Sequence, residues 1–108
     1  MFTKHDDTGY NEVLPDIRMK VLVHGADTMM TEFLLKKYSV LPEHNHFHEQ
    51  TGYLVSGKML LTIGEEAFEV NAGDSWNVAS NVSHKAEILE DSVVIEVFHP
   101  VRDDFLEC

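Results

Sequence analysis

Short runs of alternating apolar and polar residues, each broken by a turn signal, recur along this chain. Arg18 to His24 is one such run, and Gly25-Ala26-Asp27 interrupts it. Met29 to Tyr38 follows, with Thr31, Phe33 and Leu35 alternating against Met30, Glu32 and Leu34. Tyr53 to Val55 ends at Ser56-Gly57, which predicts a turn into Met59 to Ile63. Gly64-Glu65-Glu66 turns into Ala67 to Val70, and Asn71-Ala72-Gly73-Asp74 into Ser75 to Val78. His84 to Leu89 and Ser92 to Phe98 close the series. A period of two places alternate side chains on opposite faces, as a half-buried strand requires. Strands at this spacing, joined by Gly-centred turns, predict an all-β sandwich or barrel. Only Asp103 to Glu107 reads as helical, and then as a single last turn. Residues 1–15 lack a clear period and end at Pro15, so they predict an arm laid on the domain or on a partner subunit. Residues 16–108 then form one domain, since a chain of 108 residues supports a single core.

Composition narrows the partners. A formal net charge of −11 argues against nucleic acid and against an anionic membrane, which both need a basic surface. No apolar run approaches the length of a membrane span, and the N-terminal residues lack a signal-peptide pattern. The single cysteine, Cys108, is the last residue and reads as a loose terminal thiol, with no intrachain disulfide. These features predict a cytoplasmic protein.

The densest chemistry lies in His44-Asn45-His46-Phe47-His48-Glu49-Gln50. Imidazole is the commonest protein metal ligand and works neutral near pH 7. On an extended strand His44, His46, His48 and Gln50 would share one face. On a helix His44 and His46 would stand about 200° apart. Pro42 before the segment and the run into Ser56-Gly57 after it favour the strand. The next histidine, His84, follows the loop Ala79 to Ser83, and a barrel can bring it across to the others. Three imidazoles with one amide oxygen would leave positions open for water or substrate, as catalytic metal sites do.

The segments His44-x-His46-x3-Gln50-x6-Gly57 and Gly73-Asp74-x9-His84 resemble the two motifs of the cupin superfamily. The resemblance spans residues 42–84 and implies a double-stranded β-helix (jelly-roll) barrel, with His44, His46, Gln50 and His84 holding one divalent transition metal. Mn, Fe, Ni, Cu and Zn all accept such a ligand set. Gln50 stands where the superfamily usually has Glu, and a neutral ligand leaves the site one positive charge higher. That favours polarising a substrate over activating dioxygen. His48 shares parity with the ligands, but the motif does not require it; a bulge would turn it towards the mouth of the site.

In the last strand Val93, Ile95 and Val97 form a wholly apolar face, opposite Val94, Glu96 and Phe98. Alternation alone leaves open whether Glu96 faces water. The ending Glu96-Val-Phe98-His-Pro100-Val-Arg102-Asp-Asp-Phe105-Leu106 resembles the small cupins of the pectin-degradation family KdgF. That family converts 4,5-unsaturated uronates, the products of pectate and alginate lyases, to linear 5-keto-4-deoxyuronate. The resemblance implies catalytic positions at Glu96 (where the family has Asp), Phe98 and Arg102. It also implies a homodimer acting on a small carbohydrate acid. The extra methylene of Glu adds roughly 1 Å of reach where such a misplacement can cost ~100-fold. Arg102 is suited to a substrate carboxylate, or alternatively to a surface ion pair with Asp103 or Asp104. Two other functions fit the same barrel: an Fe- or Mn-dependent dioxygenase or isomerase, and a non-enzymatic sugar-acid binding or sensing domain.

Overall fold

The computed structural model describes residues 1–106. Cys108, and Glu107 of the expected last turn, lie outside the described residues. Eight strands and one short helix follow in the order β1 (Asn11–Leu14), β2 (Ile17–His24), β3 (Met29–Leu35), β4 (Val40–His44), β5 (Glu49–Ile63), β6 (Glu66–Asn71), β7 (Ser75–Val78), β8 (His84–His99) and α1 (Asp103–Leu106). All pairings are antiparallel, running β1-β2-β3-β8-β5-β6, with β4 also on β8 and β7 also on β5. Among the described residues no helix is long and apolar enough to cross a membrane.

Two long strands make one sheet into two walls. The first half of β5 pairs with β7 and with the second half of β8, which continues to β3, β2 and β1. The second half of β5 pairs with β6 and with the first half of β8, which continues to β4. The corner lies at Ser56, Gly57 and Lys58, where the β5–β8 register shifts. Inward parity changes across it: Gln50, Gly52 and Leu54 are buried before the corner, Met59 and Leu61 after it. A bulge that inserts an unpaired residue bends the strand and flips its faces in this way.

Gly57 therefore does not open a new hairpin, as its turn-like neighbourhood predicts. It sits at φ 102 within a continuous strand. A Cβ there would overlap Ser92 Oγ and the Asp91 carbonyl of the crossing strand. The expected separate strands at 84–89 and 92–98 are likewise one strand, β8. Met29 to Tyr38 is shorter than expected, because β3 ends at Leu35 and Tyr38 turns at φ 74. Within the expected arm, Asn11–Leu14 forms edge strand β1, and the Tyr10 hydroxyl donates to Glu32 on β3.

Between the walls Ile17, Leu35, Leu54, Met59, Leu61, Val70, Ala86, Ile88 and Val94 form one buried cluster. In β8 the buried series is His84, Ala86, Ile88, then Ser92, Val94, Glu96 and Phe98. The inner face of the last strand is thus the one carrying the carboxylate. The more apolar Val93, Ile95 and Val97 lie on the outer side, half-buried.

Candidate metal centre

His44 ends β4 and His84 begins β8, and the two residues are cross-strand partners. Their rings are 4.1 Å apart between centroids. His46 lies beyond the end of β4, in the loop between β4 and β5, with its ring 5.5 Å from His44 and 5.1 Å from His84. One ring nitrogen of each of the three lies within 4.8 Å of the others. The expected single extended strand through residues 44–50 is not what gathers them. Residues 45–48 form a loop, and the loop at 79–83 holds it: Asn81 N–H donates to the His46 carbonyl at 2.7 Å, and Ser80 Oγ to that of Phe47 at 2.5 Å.

Each imidazole is oriented by a backbone carbonyl. Nδ1 of His44 lies 2.9 Å from the Pro42 oxygen, that of His46 2.9 Å from His48, and that of His84 3.0 Å from Val82. A carbonyl only accepts, so Nδ1 carries the proton and Nε2 keeps its lone pair. Carbonyl-bound imidazoles of this kind are how metal-binding histidines are held in one tautomer. Nε2 of both His46 and His84 is buried with no hydrogen-bond partner. A buried acceptor left so costs about 1–3 kcal/mol, which a cation bound at those lone pairs would offset. Burial lowers the His46 and His84 pKa values, the latter to about 4, so these two imidazoles are neutral at pH 7. The neighbouring imidazoles add to the shift, and the carbonyl hydrogen bonds oppose it. The donor set fits a divalent transition metal.

A cavity of about 230 Å³ opens beside this cluster. Its wall is largely apolar, with a few polar groups converging on it: His44, His84, Gln50, Glu96, Trp76 and Arg102. Such a composition suits a small-molecule site. Gln50 is buried on β5, paired with Phe98. Phe98 is 2 % exposed, and its ring stands 6.0 Å from that of His46. Glu96 is buried, and burial pushes its carboxyl up to about 8, against hydrogen bonding from Trp76 and Gln50. Trp76 Nε1 donates to Glu96 Oε1 at 3.1 Å, while Oε2 is buried and unpartnered.

Arg102 makes the expected ion pair with Asp104 and also reaches the cavity. Its Nη2 meets Asp104 Oδ2 at 2.8 Å and its Nε meets Oδ1 at 3.3 Å. The same guanidinium lies over the Phe105 ring at 3.9 Å and the Phe98 ring at 5.1 Å, and it lines the cavity. His48 is not one of the three imidazoles whose nitrogens converge; its ring stands edge-on to that of His46 at 5.7 Å and 4.0 Å from that of Phe47, between centroids. Its carbonyl, not its ring, serves the cluster, by holding His46 Nδ1. Trp76 was not singled out by the sequence pattern, which marks it only as a strand residue. Its parity with buried Val78 on β7 is the signal that points it inward.

A family model of the cupin domain matches residues 31–98. The structure of an RmlC-like cupin from Shewanella frigidimarina NCIMB 400 superposes with a TM-score of 0.91 at 25% identity, covering 96% of this chain and 94% of that one. The pectin degradation protein KdgF of Dickeya dadantii (strain 3937) is 31% identical over 103 residues, 94% of each chain. The structure of KdgF from a Halomonas species is 32% identical with a TM-score of 0.91, covering 96% of this chain and 98% of that one. The chain belongs to the cupin superfamily and, within it, to the KdgF family.

Proposed function

We propose that the protein is a metal-dependent enzyme that converts 4,5-unsaturated uronates to linear 5-keto-4-deoxyuronate. The observation that carries this reading is a buried glutamate, Glu96, that lines one small cavity together with His44, His84 and Arg102 and keeps one carboxyl oxygen without a hydrogen-bond partner. Membership of a family that includes a pectin degradation protein supports the choice of substrate.

The reaction is an isomerisation: the anomeric hydroxyl loses its proton and becomes a carbonyl as the bond between C1 and the ring oxygen breaks, the ring oxygen becomes the keto oxygen at C5, C4 gains a proton, and nothing is oxidised. His44, His46, His84 and Gln50 would hold one divalent transition metal, which when bound supplies Lewis acidity toward a substrate oxygen. Arg102 binds the substrate carboxylate. Asp104 already takes its Nε–Nη2 edge, so the carboxylate meets the Nη1 end, and the Phe105 and Phe98 rings fix the guanidinium plane. Glu96 exchanges a proton with the enol carbon through Oε2, and its high pKa keeps the acid form available near neutral pH. Phe98 packs beside this site and excludes water from it. Glu96→Gln keeps the shape and removes the exchangeable proton. It should lower kcat at least about 100-fold while the variant still folds and binds metal. Undiminished turnover would remove Glu96 from the reaction.

A further inference from the structure

We propose that Trp76 is a positioning residue for Glu96, and that Gly52 is the gap through which it acts. The inference rests on the role assigned to Glu96 above.

Thr31 on β3, Glu96 on β8, Gly52 on β5 and Trp76 on β7 occupy one rung across four strands. Members of a rung point to the same face of a sheet. With strands about 4.8 Å apart, Trp76 and Glu96 are separated at the backbone by two strand spacings, and the residue between them is Gly52. Any side chain at that position would stand between indole and carboxyl. A Cβ alone would overlap Cε2, Nε1 and Cζ2 of Trp76. The indole therefore lies across the bare backbone of Gly52 and delivers its N–H to Glu96 Oε1 at 3.1 Å.

Indole is a donor only, and it has one N–H. It can occupy one carboxyl oxygen and must leave the other, and Oε2 is the oxygen left without a partner. On the far side Thr31 Oγ1 donates to the Glu96 backbone carbonyl at 2.9 Å. Glu96 is thus fixed at its backbone by one neighbour in the rung and at its tip by another two places away. A glutamate has three side-chain torsions to immobilise; the indole N–H holds Oε1, and the Gln50 side chain is the other hydrogen-bonding group at the carboxyl. Among the described residues no hydrogen bond or ring contact links Trp76 to the imidazole cluster, to the carbonyls that accept from it or to Arg102, so it acts through Glu96.

Trp76→Phe keeps an aromatic ring over Gly52 and deletes the N–H. On a 4,5-unsaturated galacturonate it should lower kcat about 10- to 100-fold, with KM and zinc affinity by titration calorimetry within about twofold of the parent. A kcat within twofold of the parent, or a fall in zinc affinity that matches the fall in rate, would overturn the assignment. Trp76 is also the single tryptophan of the chain, so the emission of zinc-loaded protein reports on this seat alone and independently of turnover. Glu96→Leu removes the acceptor and Gly52→Ala closes the gap; each should shift that emission to longer wavelength. Emission unmoved by Glu96→Leu would overturn the proposal even if Gly52→Ala failed to fold. A parent protein without turnover would defeat the uronate reading. The emission shift would then still decide whether Trp76 holds Glu96.

Discussion

Acidifying the metal-free protein should destabilise it, chiefly through His84. This imidazole is 2 % exposed, with Nε2 facing two other imidazoles and no hydrogen-bond partner. A proton arriving there creates a charge in a desolvated site. Burial is the main cause that brings its pKa from 6.5 down to about 4; the Val82 carbonyl opposes it, and His44 and His46 reinforce it. The folded state therefore binds this proton less tightly than the unfolded chain does. The contribution to stability is complete above pH 6.5 and is lost as the pH falls toward 4. At about 1.4 kcal/mol per pH unit, that interval corresponds to roughly 3 kcal/mol. It is a large part of the ~5–15 kcal/mol that holds a typical domain. Urea unfolding of EDTA-treated parent and His84→Leu proteins, stepped from pH 7.5 to pH 4, measures it. The parent should lose about 3 kcal/mol more than the variant across the interval. Parallel curves would refute the reasoning, since the acid sensitivity would then lie elsewhere.

Gly57→Ala should cost at least about 2 kcal/mol through its positive φ and the overlap with Ser92, lowering Tm by roughly 8 °C or more in thermal unfolding; a Tm within about 2 °C would show that the corner tolerates a side chain. Arg102→Lys should raise KM for the uronate about tenfold with little change in kcat, because a point charge replaces a stacked planar fork. A selective loss of kcat in steady-state kinetics would instead put the guanidinium in the chemical step. Zinc at a free concentration a hundredfold above its Kd should stabilise the parent by about 2.7 kcal/mol, and the increment should largely disappear in His84→Leu. An equal increment in both proteins would exclude His84 as a ligand.

The histidine cluster was legible because its spacing is local and its chemistry unusual, whereas its geometry was not. An alternating His-x-His pattern predicts a strand, but His46 lies in a loop whose backbone bonds go to Ser80 and Asn81, more than thirty residues away. Glycine at positive φ serves hairpin turns and strand bulges alike, so Gly57 looks the same in sequence whether the strand ends or bends there. In β8 the pattern offered two faces, and the more apolar one is the outer. What turns Glu96 inward is the register that sets it between Thr31 and Gly52, a relation among three strands. The role of Trp76 depends on the same long-range register; local parity with Val78 points it inward but does not name its partner. By contrast, the hairpin at Gly64-Glu65 and the turn at Asn71 to Asp74 were readable, because their residues meet the backbone demands on the spot.

The most direct measurement follows the enol-ether absorbance of a 4,5-unsaturated galacturonate with metal-loaded protein and, in parallel, with chelated protein. Decay that requires both protein and metal, and yields the linear keto acid, is the predicted result. No decay, with the metal confirmed in the protein by elemental analysis, would contradict uronate conversion and leave a metal-binding cupin with another substrate.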